Sequence, residues 1–282
     1  MQVSDITIFP LKSGRGITLT EADIAPEGLA GDRRMMLADP SGHFISQRDL
    51  PILAQLQVTA EGDGFRFAMD GKGEMHVAQP TASRRLDVAV WKSIVNAALA
   101  ERPVNETLSA WLGRELQLVF FDDEAQRSAN ADWAGPDTPV TFADGYQILV
   151  ATTGSLAALN AEMARHGEGA VGMERFRPNI VIDDEAPFAD DGWEAIEIGG
   201  VRLDLVKPCV RCIMVTQDQT SGLREGADPL AALGRIRMSA DRRVPGPLFG
   251  WNAVPRGSGR IRRGDTVTVI DRRDGWAIKQ RG

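Results

Sequence analysis

Cysteine is scarce. The 282-residue sequence holds two, Cys209 and Cys212, which leaves no disulfide framework and no second pair to complete a zinc ribbon. The three histidines, His43, His76 and His166, stand singly without the spacing of metal ligands, so the chain does not read as a zinc hydrolase. No run of about 18 or more apolar residues occurs, and Met1 to Ser13 lacks the charged-then-apolar pattern of a secretory signal. A cytoplasmic protein with no membrane partner is expected. Thirty-two Lys and Arg against 39 Asp and Glu give a net charge of −7 with no polybasic run, which argues against nucleic acid as a partner. What remains is the composition of a globular protein, 43% hydrophobic and 25% charged, and long enough for about two domains.

The first half carries short alternating or apolar runs at Ile6–Phe9, Arg34–Ala38, Leu53–Thr59, Phe65–Met69 and Leu86–Trp91. These read as strands. The loops Gly31-Asp32, Pro40-Ser41-Gly42 and Gly62-Asp63-Gly64 predict tight antiparallel connections in a meander or small barrel. From Asn105 to Gly113, the helical spacing of Leu108, Trp111 and Leu112 predicts one short helix, with Asn105 as cap and Gly113 as stop. A strand at Leu116–Phe121 precedes a polar segment, Asp122–Asp137, that reads as a lid or a domain connection. The boundary therefore falls near Phe121, giving units at 1–121 and 122–282. In the second half an apolar run at Gln147–Ala151 leads into a helix from about Ser155 to Arg165, with Leu156, Leu159 and Met163 on one face. Strands are expected at Asn179–Ile182, Val201–Val206, Ile213–Thr216 and Thr266–Ile270. Val201, Leu203 and Leu205 alternate with Arg202 and Asp204, as in a sheet with one wet face. The fold class expected is mainly β with added helices (α+β).

The segment Lys207-Pro208-Cys209-Val210-Arg211-Cys212-Ile213 places both cysteines in one turn. A redox dithiol belongs at a strand-to-helix junction, and the strands expected on both sides count against it. A thiolate also suits a transition metal, while two inert half-buried cysteines are the plain alternative. One thiolate cannot hold such an ion alone, so a cofactor bringing its own soft ligands would be required. Four other segments offer a grip. Phe9-Pro10-Leu11-Lys12-Ser13, followed by Gly14 and Gly16, supplies the parts of a phosphate cradle. Gly31-Asp32-Arg33-Arg34 supplies guanidinium forks, or else a surface ion pair. In Arg175-Phe176-Arg177-Pro178-Asn179, Pro178 biases Arg177 towards extended geometry where a strand begins. Asp144, in Asp144-Gly145-Tyr146, can accept two donors from an amino-pyrimidine edge or close an Asx turn.

Together these segments resemble the MOSC proteins, and within them the subgroup with an N-terminal MOSC β-barrel domain that includes the mitochondrial amidoxime-reducing component and its bacterial relatives. The resemblance also takes in Ser46-Gln47-Arg48, Phe142-Ala143, Thr216, Asp218, Gly222, Pro247-Leu248-Phe249-Gly250 and Gly264-Asp265, and so spans nearly the whole chain. It implies an N-terminal MOSC β-barrel domain followed by a MOSC β-barrel domain, with a molybdenum cofactor (molybdenum bound by molybdopterin) held between them. Cys212 maps to the metal ligand and catalytic position, and Lys12, Ser13, Arg33, Asp144, Arg177, Asn179 and Arg211 map to cofactor-binding positions. Cys209 would stand beside the metal without binding it. The activity implied is reduction of N-hydroxylated compounds: hydroxylamines, amidoximes and N-hydroxylated bases. No cysteine follows Cys212, so no iron–sulfur cluster is expected and electrons would come from a separate donor protein. Pyridoxal phosphate, tied to the cofactor sulfurases that share the MOSC name, is not expected. The alternative is a carrier of molybdenum cofactor or of sulfur that turns over no organic substrate.

Overall fold

The computed structural model describes residues 1–81 and 83–279. Strands dominate and form four sheets, with helices added at their edges. The largest sheet has eight strands in the order Val267–Arg272, Trp193–Ile198, Val201–Val210, Leu248–Pro255, Ile148–Thr152, Ile180–Asp183, Gln2–Ile8 and Ile17–Leu19. Its parallel pair, Ile148–Thr152 beside Ile180–Asp183, is joined by the helix Thr153–Arg165, because parallel neighbours need a long crossover. That helix starts where Thr152 accepts the Ser155 backbone N–H, and it buries Leu159 and Met163 completely. Leu203, Leu205, Ile196, Ile148, Val150 and Trp251 form the main core on one face of the sheet.

Two further sheets lie within the first half, and the third joins Gly259–Arg262 to Glu21–Ala25 and Gly28–Leu29. Met35–Ala38, Gln117–Phe120, Ser93–Leu99 and Arg85–Val90 make a four-stranded antiparallel sheet, and Gln57–Glu61, Gly64–Met69 and Gly73–Ala78 make a meander of three. The helix Arg102–Leu112 packs Leu108 and Leu112 against them and ends at Gly113, whose φ of 66° is the left-handed stop that glycine adopts at low cost. Asn105 is not its cap. It lies one turn inside, and its amide oxygen accepts the Leu118 N–H at 2.8 Å, tying helix to strand.

A cut at residue 121 does not separate the halves cleanly. The strand Gln2–Ile8 hydrogen-bonds to Ile180–Asp183, and Glu21–Ala25 pairs with Gly259–Arg262, so the first residues of the chain complete sheets of the second half. Later in the chain, Gln217 Nε2 donates to the Gln47 carbonyl and Gln55 Nε2 to the Ser221 carbonyl, which pins the 217–222 loop onto the first half. Gly222 makes this approach possible: a Cβ there would lie 2.0 Å from the Pro51 carbonyl oxygen. The polar segment 122–137 is stitched down, with Arg127 donating to the Thr141 and Ala143 carbonyls at 2.7 and 2.5 Å.

Three local expectations are corrected. Leu53–Thr59 is not one strand: Pro51–Gln55 is a 3-10 helix and the strand runs Gln57–Glu61. Ile213–Thr216 is a 3-10 helix, because the Val215 N–H turns back to the Cys212 carbonyl and Thr216 Oγ1 to the Ile213 carbonyl. The cysteine turn thus joins a strand to a helix. Arg177 is left-handed at φ 52°, ψ 46°, and not extended. It caps the 3-10 helix Met173–Phe176 by donating its N–H to the Glu174 carbonyl, and this closure outweighs the extended bias from Pro178.

One buried carboxyl gives the fold a pH dependence. Asp190 is 2% exposed and accepts from Ser155 Oγ at 3.3 Å. Burial and then the neighbouring Asp191 carboxylate push it up to about 7, against the pull of Arg237. A carboxyl raised in the folded state favours folding below its unfolded pKa of about 4 and loses that contribution as pH rises through 7. Asp190→Asn should therefore stabilise the protein by about 1–3 kcal/mol at pH 8 and change it little at pH 4. Thermal melts across that range check the trend; equal shifts at both ends would remove Asp190 as the cause.

Candidate functional site

A cleft opens against the second face of the large sheet. Leu149 and Asn252, cross-strand partners, turn towards it, while their neighbours Ile148, Val150, Trp251 and Ala253 point into the core. The far end of the strand Val201–Val210 delivers the cysteine turn, and Phe44, Ser46, Arg48 and Trp91 of the first half form the opposing wall. All eight residues singled out from the sequence, Lys12, Ser13, Arg33, Asp144, Arg177, Asn179, Arg211 and Cys212, line this one cleft. Lys207 does not; its ammonium lies 5.4 Å from the Trp133 ring.

The backbone is strained here. Of the six non-glycine residues with positive φ among the described residues, Ser13, Arg33, Trp91 and Arg177 line the cleft. Positive φ costs an L-residue about 1 kcal/mol or more. Four of the six gather at this one place, and strained positions of this kind cluster at binding and catalytic sites.

Each polar side chain has a defined engagement. Lys12, 5% exposed, donates to Asp144 Oδ1 at 2.5 Å and to the Phe142 carbonyl at 2.9 Å, and burial pushes its ammonium below the ordinary lysine value. Asp144 therefore takes the ion pair and not an Asx turn, and its side chain is 77% exposed at the mouth. Asp32 is buried and accepts from the Phe9 N–H at 2.7 Å and from Arg33 Nη1 at 2.6 Å, so this pair is internal and not a surface pair. Asn179 is engaged within the protein: its oxygen accepts from Arg33 and the Leu149 N–H, and its nitrogen donates to the Thr7 carbonyl. It positions Arg33. Arg33 and Arg177 then lie over the same Phe9 ring, at 4.4 and 4.0 Å.

The charge balance is the main feature. Lys12, Arg33, Arg48, Arg175, Arg177 and Arg211 line the cleft against a single lining carboxylate, Asp144. Lys12 and Arg33 have carboxylate partners; Arg48, Arg175, Arg177 and Arg211 have none among the described residues. Burial and then the nearby Arg33 push the Arg177 guanidinium down to about 9, and its hydrogen-bond partner is the neutral Gln219 oxygen at 2.8 Å. Arg211 Nε is buried with no partner. Such an array of under-neutralised guanidinium forks fits an anion with several oxygens, above all a phosphate.

Beside the array stand the thiols. Arg48 Nη2 donates to Cys212 Sγ at 3.3 Å, and Arg211 Nη1 to Cys209 Sγ at 2.9 Å. Cys212 is exposed to the cleft and Cys209 half-buried. Among the described residues no group of three or more His, Cys, Asp or Glu is placed to hold a metal ion, so a metal at Cys212 needs ligands from a cofactor. The donor set fits that requirement: one accessible sulfur, and cations for an anionic cofactor tail.

Among the lining residues that sequence reasoning did not single out are Arg48, Arg175 and Trp91. Arg48 was legible in Ser46-Gln47-Arg48 but carried no sign that it would cross to Cys212, 164 positions away. Arg175 and Trp91 carried only local signals, a basic residue before a strand and the end of a hairpin. No helix among the described residues is long and apolar enough to cross a membrane.

Comparison with known proteins gives matches over most of the chain. The model of the MOSC N-terminal beta barrel domain matches residues 1–115, and that of the MOSC domain matches residues 137–268. Mitochondrial amidoxime-reducing component 1 of Homo sapiens is 28% identical over 285 residues, covering 95% of this chain and 82% of its own. The Danio rerio protein of the same name is 26% identical, covering 95% and 84%, and mitochondrial amidoxime reducing component 2 of Bos taurus is 26% identical, covering 94% and 82%. With these two domains in succession on one chain, the protein belongs to the MOSC proteins that carry an N-terminal MOSC beta barrel domain.

Proposed function

We propose that the cleft holds a molybdenum cofactor through Cys212 and that the protein is an oxidoreductase that reduces N-hydroxylated compounds with electrons from a separate donor protein. The observation that carries this reading is the convergence of four guanidinium groups lacking carboxylate partners beside one exposed thiol. The names of the similar proteins, amidoxime-reducing components, support the reaction class.

When bound, the cofactor supplies a two-electron metal centre, the part of the chemistry that side chains cannot provide. The chain's own residues do the rest. Arg177 and Arg211 neutralise the phosphate-bearing tail, Arg33 is held in place for the same task by Asp32 and Asn179, and Asp144 presents its free carboxylate oxygen to amino groups of the pterin. Arg48 holds the Cys212 sulfur from the opposite wall. Overall, the N–O bond breaks, two electrons and two protons enter, and amine (or amidine) and water leave. With two cysteines in the sequence, no four-cysteine iron–sulfur cluster can supply those electrons from within this chain.

The test is reduction of hydroxylamine by the purified, molybdenum-loaded protein with reduced methyl viologen as electron source. Ammonia should form with two viologen radicals consumed per molecule. Protein that holds molybdenum and consumes none would fit the alternative, a carrier, for which the exposed Val210 and Ile213 beside Cys212 would be a contact surface.

A further inference from the structure

The hairpin between the strands Arg85–Val90 and Ser93–Leu99 turns in two residues, Trp91 and Lys92, because Val90 pairs directly with Ser93. Two-residue hairpin loops require positive φ at their first central position, where glycine or asparagine is the low-cost choice. Here that position is tryptophan, at φ 56°. Its ring does not repay the strain by filling the core, since Trp91 is 48% exposed. A large apolar side chain that is both strained and wet is a local conflict of the kind that persists where function requires it.

Trp91 stands at the cleft. Its ring lies 5.1 Å from that of Phe44, tilted by 57°, and the Arg48 guanidinium sits 5.4 Å from its centroid. The same Arg48 donates to Cys212 Sγ, so the aromatic pair is one side chain removed from the reactive sulfur. An open hollow of about 270 Å³ lies off the cleft here, bounded by His43, Phe44, Ser46, Arg48, Asp49, Ala89 and Trp91. Its volume is that of a single ring with a substituent, since an enclosed cavity of about 150 Å³ already accommodates benzene. The exposed part of the Trp91 ring, with Phe44 and Arg48 packed beside it, offers a stacking surface to a planar group.

We propose that Trp91, Phe44 and Arg48 form a subsite for a planar aromatic ring, so that the preferred substrates are N-hydroxylated compounds bearing an aryl group. The proposal rests on the reductase reading above and adds the part of the substrate that the cofactor does not touch. Trp91 is then a specificity residue, acting on binding and not on N–O cleavage.

The test uses the molybdenum-loaded full chain with reduced methyl viologen, which takes any protein donor out of the assay. Trp91→Gly relieves the backbone strain while removing the ring, so its melting temperature should equal or exceed that of the wild type. The ratio of KM for benzamidoxime to KM for hydroxylamine should rise at least tenfold in Trp91→Gly and less than threefold in Trp91→Phe. Benzamide, planar and without an N–O bond, should bind the wild type with at least tenfold higher affinity than Trp91→Gly by calorimetry. Unchanged benzamide affinity, or an unchanged KM ratio, overturns the subsite. If the wild type reduces neither substrate, the reductase reading fails, and the benzamide titration still decides the subsite by itself.

Discussion

Cys212→Ala is expected to abolish turnover while leaving the fold intact. The side chain is exposed and packs in no core cluster, so its removal should change stability by no more than about 0.5 kcal/mol, the range of ordinary surface substitutions. Its sulfur is the accessible soft ligand at the cleft, and no group of other ligating side chains among the described residues can replace it. Cys209→Ala should behave differently. Cys209 receives its hydrogen bond from Arg211, which also donates to the Phe176 carbonyl, so its loss loosens Arg211 without removing the ligand. Loss of such a neighbour to a metal site costs about 10–100-fold. Rates of the two variants, with melts to show that both fold, decide the matter. Equal losses at both positions would point to a dithiol, which the strand-to-helix setting of the turn permits.

The second large effect is expected at Arg177. Its guanidinium is half-buried, shares the Phe9 ring with that of Arg33 and has no carboxylate partner among the described residues, an arrangement that costs stability unless an anion joins it. Arg177→Met keeps the stem that packs on Phe9 and removes the charge. Purified from a cofactor-producing host, it should retain less than about a tenth of the wild-type pterin, since a charge-assisted fork on phosphate has no replacement in water. The cofactor-free variant should melt no lower than the cofactor-free wild type, because a repulsion has been removed. A lower melt with full pterin content would make Arg177 a structural residue and take it out of the site.

The candidate site was more legible in the sequence than the path the chain takes to build it. Lys12, Arg33, Arg177 and Cys212 stood out locally only as candidates, each with a plain alternative; what joined them into one site was the resemblance to the MOSC proteins, and the fold places all four in one cleft. The helix Thr153–Arg165 was legible from the spacing of Leu156, Leu159 and Met163, and Gly113 from its role as a stop. Long-range pairing was not. Nothing local tells the strand Gln2–Ile8 to join Ile180–Asp183, or Glu21–Ala25 to join Gly259–Arg262, and these pairings interleave the halves. The helix Pro229–Ile236 was overlooked although Asp228-Pro229 is a good start signal: Asp228 accepts the Leu230 N–H and proline takes the first helical position. Ile213–Thr216 misled because a run of four with three β-branched residues, Ile213, Val215 and Thr216, reads as a strand when its neighbours are unknown. Arg48 and Trp91 gain their meaning only from what the fold brings beside them, a sulfur and a guanidinium plane.

The central claim is that this cleft is built for a molybdenum cofactor. The most direct measurement is the molybdenum and pterin content per chain of wild type and Cys212→Ala, both expressed in a host that makes the cofactor. Wild type should carry close to one molybdenum and one pterin, and Cys212→Ala should keep part of the pterin through the arginines while losing molybdenum. Well-folded wild-type protein from such a host with neither would contradict the account and return the Cys209–Cys212 turn to a structural or dithiol role.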